Sequence, residues 1–100
     1  MNIPGLEPHI FRRIMMTAAL SEDLGKWEPP DEYIDPFYDW VEEASAQYRA
    51  INPYFEIEDI DPKANKVVLY YEGEDSKRGS PKSGGIIADL NGKVLEVSGN

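Results

Sequence analysis

The hydrophobic period of this chain changes once, and that change decides what it can fold into. Up to about Asn52-Pro53 the apolar residues recur at helical spacing. Beyond it they fall into short β-branched and aromatic runs separated by turn residues. The order is two helices and then two hairpins, αα-ββ-ββ. This predicts an α+β fold with both N-terminal helices packed on one face of a four-stranded antiparallel sheet. A length of 100 residues suits one domain over 1–100 and leaves little room for a second.

Pro8 suits a first helical position, and the run from His9 to about Leu24 meets no breaker before Gly25. Ile10, Phe11, Ile14, Met15 and Ala18 fall on one side of that helix. Opposite them lie His9, Arg12, Arg13, Met16 and Leu20. The Met16–Leu20 stripe is more than a simple amphipathic helix needs. Either the linker around Trp27 folds over it or a second copy of the chain does, so these two residues are the candidate homodimer contact.

The paired prolines make Lys26 to Ile34 an extended linker. Asp35-Pro36 then opens the second helix, with a capping side chain followed by proline. Phe37, Trp40, Val41, Ala44, Tyr48 and Ile51 share a core-facing stripe, and Asn52-Pro53 ends the helix. The far face is Asp39, Glu42 and Glu43, relieved only by Arg49.

Phe55 to Glu58 alternates with period two, Asp61 to Asn65 is turn chemistry, and Val67 to Tyr71 is strand-forming. These make the first hairpin. Ile86 to Leu90, Asn91-Gly92 and Lys93 to Val97 make the second, with the dipeptide that favours a tight type I′ turn. Glu72 to Gly85 reads as a long connection. The stretch Gly85 to Leu95 resembles the last hairpin of secreted-peptidase propeptide modules and of immunity proteins with a nuclear-transport-factor-like fold. Any Asp-x-Asn-Gly-Lys hairpin shares that pattern, so the resemblance implies the hairpin and no function.

Charge carries more information than any motif. The chain holds 19 acidic against 10 basic side chains, a net of −9, which is the wrong sign for gripping phosphate backbones. The segment from Glu22 to Asp61 contains thirteen of those acids and only Lys26 and Arg49 to offset them. Eight of the eleven aromatic residues lie within it, from Trp27 to Phe55.

Catalytic and metal chemistry find little support. With no cysteine and the single His9, thiolate zinc sites, iron–sulfur clusters and multi-histidine cages are excluded. No serine sits in a Gly-x-Ser-x-Gly elbow. Asp59-x-Asp61 begins like a calcium loop, but Lys63 and Ala64 occupy positions that should hold a ligand and a glycine. Ser76 to Gly85 lacks phosphate-loop spacing, and its cations Lys77, Arg78 and Lys82 read as a flexible basic connection. No catalytic residue, metal or cofactor is expected. No apolar run approaches the ~20 residues of a membrane span, and a cytoplasmic location is expected.

Acids and aromatics together on a surface suit a protein that engages a basic partner, with rings as anchors and charges steering approach. The expected docking residues are Asp31, Glu32, Asp35, Asp39, Glu42 and Glu43, with Tyr33 and Tyr38 as anchors. Size, charge and the lack of cysteine match bacterial or phage inhibitors, such as immunity proteins and nucleic-acid mimics. Their partner is a protein with a basic surface, not nucleic acid or membrane. The alternative is a ligand-binding or catalytic domain whose pocket, between the second helix and the sheet, is lined by Tyr48, Tyr70 and Glu56.

Overall fold

In the computed structural model, which describes residues 3–99, α1 spans Pro8–Ala19 and α2 spans Ile34–Ser45. The helix α1 stops short of Leu24 because Ser21 and Asp23 offer the backbone other partners. The Ser21 hydroxyl accepts from the Asp23 N–H at 3.3 Å, and Asp23 Oδ1 accepts from the Gly25 N–H at 3.0 Å. The chain leaves the helix there and makes a 3₁₀ turn over Leu24–Lys26.

The linker is less extended than its prolines suggest. A second 3₁₀ turn over Asp31–Tyr33 runs directly into α2, so Asp35 lies inside the first helical turn instead of capping it. Pro36 is tolerated because N–H groups in a first turn have no helical acceptor. At the other end the Ser45 hydroxyl donates to the Val41 carbonyl at 2.8 Å. A 3₁₀ turn over Ala46–Tyr48 follows, and Arg49, at φ 61°, reverses the chain. The second helix therefore ends well before Asn52-Pro53, and Ile51 belongs to a strand, 37% exposed instead of buried in a helical stripe.

The sheet is a four-stranded antiparallel meander in the order β1-β2-β3-β4. Its strands are β1 (Ala50–Asp61), β2 (Lys66–Asp75), β3 (Pro81–Ala88) and β4 (Val94–Val97). Asn52 and Pro53 lie within β1 at a bulge, where pairing moves from Ile51 opposite Glu74 to Tyr54 opposite Glu72. A bulge on an edge strand is where proline can sit without breaking the ladder. A second register shift between Ile57 and Asp59 lets both Ile57 and Ile60 face the helices.

Most of the expected Glu72–Gly85 connection is strand. Asp75 explains this: its Oδ1 accepts from the N–H groups of Lys77 and Arg78, at 2.8 and 3.2 Å, and fastens a short turn. Lys82 is consequently not a loop cation. It lies in β3, only 7% exposed, with its ammonium 5.9 Å from the Tyr48 ring centroid. The Asn91-Gly92 connection is also wider than a type I′ turn. Only Gly92 has positive φ (88°), and Asp89 Oδ1 accepts from the N–H groups of Asn91 and Lys93. The wider loop turns Leu90 fully into the core.

That core lies between the helices and one face of the sheet. Phe11, Ile14, Met15 and Ala18 come from α1, and Phe37, Trp40, Val41 and Ala44 from α2. They meet Ile57, Val67, Leu69, Tyr71, Ile86 and Ala88 from the strands. Phe11 packs on Phe37 at 5.2 Å and on Trp40 at 5.0 Å between ring centroids. The Trp40 indole N–H donates to the Gly92 carbonyl at 3.0 Å. No helix among the described residues is long and apolar enough to cross a membrane.

Trp40 is 2% exposed, so Trp40→Ala should lower unfolding free energy by roughly 3–5 kcal/mol in urea titration. Trp40→Phe keeps much of the volume and should lose less. An unchanged melting temperature in Trp40→Ala would contradict this packing.

Candidate acidic docking surface

At ~100° per residue, Asp35, Asp39, Glu42 and Glu43 fall on one arc of α2, and all four are exposed. Asp31 and Glu32, also exposed, continue the acidic run along the preceding 3₁₀ turn. Like charges at i,i+3 and i,i+4, such as Asp35/Asp39 and Asp39/Glu43, destabilise a helix by a few tenths of a kcal/mol per pair. Among the described residues none of the six has a cation within 4.0 Å; the one ion pair there joins Arg49 to Asp75. The protein partner of the arc is the Asn52 N–H, which donates to Glu42 Oε2 at 3.2 Å.

Arg49 does not relieve this face, contrary to its place in the sequence. The left-handed turn aims it at Asp75, with Nη2 to Oδ2 at 3.0 Å and Nε to Oδ1 at 3.5 Å. The Arg49 guanidinium, helped by the Lys77 and Arg78 N–H groups, holds the Asp75 carboxyl far below the usual carboxylate range.

Apolar depressions flank the arc. Asp39, Glu42 and Glu43 border a shallow hollow of about 450 Å³ whose other walls are Ile3, Pro4 and Ala46. On the other side Glu43 and Glu96 border a hollow of about 290 Å³ with Val94, Leu95 and Val97. Leu95 is 55% exposed. The sequence carried a signal for it: Val94, Leu95 and Val97 cannot all face the core in a period-two strand.

The two expected anchors differ in exposure. Tyr33 is half-buried and packs against the core. Tyr38 sets its ring edge-on to Phe55 at 5.3 Å and lines a groove along β1. The fold gathers the acids on one arc, takes Tyr33 into the edge of the core, and leaves Tyr38 one turn before Glu42, between the arc and the groove.

Of the three residues expected to line a pocket between α2 and the sheet, Glu56 borders a groove between the start of α2 and β1, and Tyr48 and Tyr70 do not line it. Tyr48 lies on the helix side, donating to the Val97 carbonyl at 3.2 Å. Tyr70 and its register partner Glu56 lie on the outer face of the sheet. Asp61 serves the β1–β2 turn, its Oδ1 accepting from the N–H groups of Lys63 and Ala64 at 3.1 Å. No group of three or more His, Asp or Glu among the described residues is placed to hold a metal ion. His9 is exposed in the first turn of α1. Met16 and Leu20 are 38% and 83% exposed, because Trp27 packs against the core instead of folding over them.

No family model, curated protein or solved structure matches the chain. The functional reading therefore rests on this geometry.

The lowered pKa of Asp75 carries a pH dependence. Its folded value lies below its unfolded one, so the contribution is complete above about pH 4 and fades as pH falls further. Asp75→Asn should be less stable than wild type at neutral pH, and the gap should narrow under acid. Urea midpoints taken from neutral to strongly acidic pH would show this; a gap independent of pH would contradict the ion pair.

Proposed function

We propose that this chain is a non-enzymatic binding protein whose α2 face docks on a basic surface of a partner protein. It acts as an inhibitor of the immunity-protein or nucleic-acid-mimic kind, in a bacterial or phage cytoplasm, against an enzyme that handles nucleic acid. One observation carries the reading: six exposed carboxylates, Asp31 to Glu43, stand without a cation among the described residues while Arg49 is committed to Asp75. Local repulsion of this kind is relieved when a cationic surface arrives. The apolar hollows on both sides, with Leu95, supply contact area that charge alone lacks. Nucleic acid carries the same sign as the arc and is not the partner.

A second copy covering Met16 and Leu20 is compatible with this role, since that stripe lies on α1 and leaves α2 free. The observation favouring it is the 83% exposure of Leu20 beside Met16. If the two copies associate there, Leu20→Glu sediments as a monomer where wild type does not; a monomeric wild type ends the idea.

Docking through α2 is tested by immobilising the chain and passing a bacterial lysate over it at low salt. Proteins held by the arc should be released by duplex DNA and by raising ionic strength, as the screening length falls to about 10 Å at 0.1 M. Glu42→Lys with Glu43→Lys should abolish retention and leave folding nearly intact. Lys77→Glu with Arg78→Glu should retain the same proteins. Retention that needs Lys77 and Arg78 and ignores the α2 acids would overturn the reading.

A further inference from the structure

A groove of about 410 Å³ runs between the Leu24–Pro29 segment, the start of α2 and the edge strand β1. Its walls are aromatic. Trp27, Tyr38, Tyr54 and Phe55 all line it, and Tyr38 and Tyr54 are the two large aromatic residues that stay exposed, at 37% and 43%. Core packing explains Phe55, which stacks on Phe37 at 6.1 Å. It does not explain two exposed tyrosines bordering one groove, Tyr38 from the helix side and Tyr54 from the outer face at the β1 edge.

The rings are held in place before any ligand arrives. Tyr38 lies edge-on to Phe55, and the Tyr54 hydroxyl donates to Glu72 Oε2 at 2.9 Å. The same oxygen accepts from the Tyr70 hydroxyl at 3.0 Å, and the Tyr54 and Tyr70 rings meet at 6.5 Å. Both phenol pKa values are raised, chiefly by the hydrogen bond to Glu72. The charge bordering the groove is negative: Glu28 from the loop and Glu56 from the outer face at the β1 edge, against Lys26 alone.

We infer that this groove takes a cationic side chain, a guanidinium or ammonium group, presented by the partner protein that docks on α2. The inference rests on the proposed α2 docking and adds to it a specific pocket. Aromatic faces attract cations through the negative potential above the ring, and carboxylates at the rim strengthen the attraction and give a guanidinium hydrogen-bond acceptors. A neutral apolar ligand would leave Glu28 and Glu56 unused, and an anion would meet both of them. Ile34 and Tyr38 place the groove beside the first turns of α2, so one basic partner can reach the carboxylate arc and the groove together.

The test uses the full chain labelled for NMR and a Gly-Arg-Gly-Arg-Gly peptide, with the same peptide carrying neutral citrulline in place of arginine. The two indole N–H signals report separately, because Trp40 donates to the Gly92 carbonyl inside the core and Trp27 lines the groove. The expected result is saturable movement of the Trp27 indole and of the Tyr38 and Tyr54 ring signals, with Trp40 still. The citrulline peptide should give none. Glu28→Gln with Glu56→Gln should weaken binding by about fivefold or more, and Lys26→Gln should tighten it. Movement confined to the α2 amides from Asp35 to Glu43 would overturn the groove and leave the α2 surface standing. Equal movement with citrulline, or none with either peptide, would also overturn the groove; the lysate capture tests α2 docking independently.

Discussion

The Trp40 indole ties together parts of the chain that have little else in common. It comes from α2, packs against Phe11 of α1, and donates to the carbonyl of Gly92 in the last loop. Gly92 is required twice over. Its φ of 88° suits glycine, and a Cβ there would lie 3.0 Å from the Phe11 ring. Both helices and the β3–β4 loop thus meet within one cluster. Because the ladder carries that placement through β3 and β2 to β1, the orientation of α2 on the sheet follows from the same contact. So does the face that α2 turns to solvent.

Much of this was legible in the residues. The change of period near Asn52-Pro53 separates helical from strand-forming sequence, and the buried stripe Phe37, Trp40, Val41 and Ala44 follows from spacing alone. What was not legible depends on hydrogen bonds that only the fold assembles. Asn52-Pro53 looks like a helix stop, yet it sits in a β-bulge beside Gly73, where a Cβ would lie 2.6 Å from the Ile51 carbonyl. Asp75 looks like one more acid in a loop, yet it fastens the β2–β3 turn and captures Arg49. Lys82 looks like a loop cation and is buried instead against Tyr48. Each is a case of tertiary contact overruling local propensity.

The acidic surface was read from composition, and the fold both sharpened and divided it. Asp35, Asp39, Glu42 and Glu43 are drawn onto one arc, flanked by apolar hollows that include Leu95. Tyr33 is taken into the core's edge and Tyr38 turned toward the β1 groove. Helical spacing alone sets Tyr38 beside Asp35 and Glu42; its contact with Phe55 of β1 depends on the fold. The result is two adjacent features of α2, a bare carboxylate arc and an aromatic groove with acidic rims. Among the described residues, the arc makes one hydrogen bond within the free protein, from the Asn52 N–H to Glu42. In the proposed role the α2 acids are a cost to the isolated chain, offset by what they meet.

That cost can be measured without knowing the partner. Urea midpoints of wild type and of Asp39→Asn/Glu42→Gln/Glu43→Gln should be compared at low and high sodium chloride. The account predicts that the neutralised variant is the more stable at low salt, and that the difference shrinks as salt screens the arc. A variant no more stable than wild type at low salt would mean that these carboxylates serve the fold, and would contradict the account.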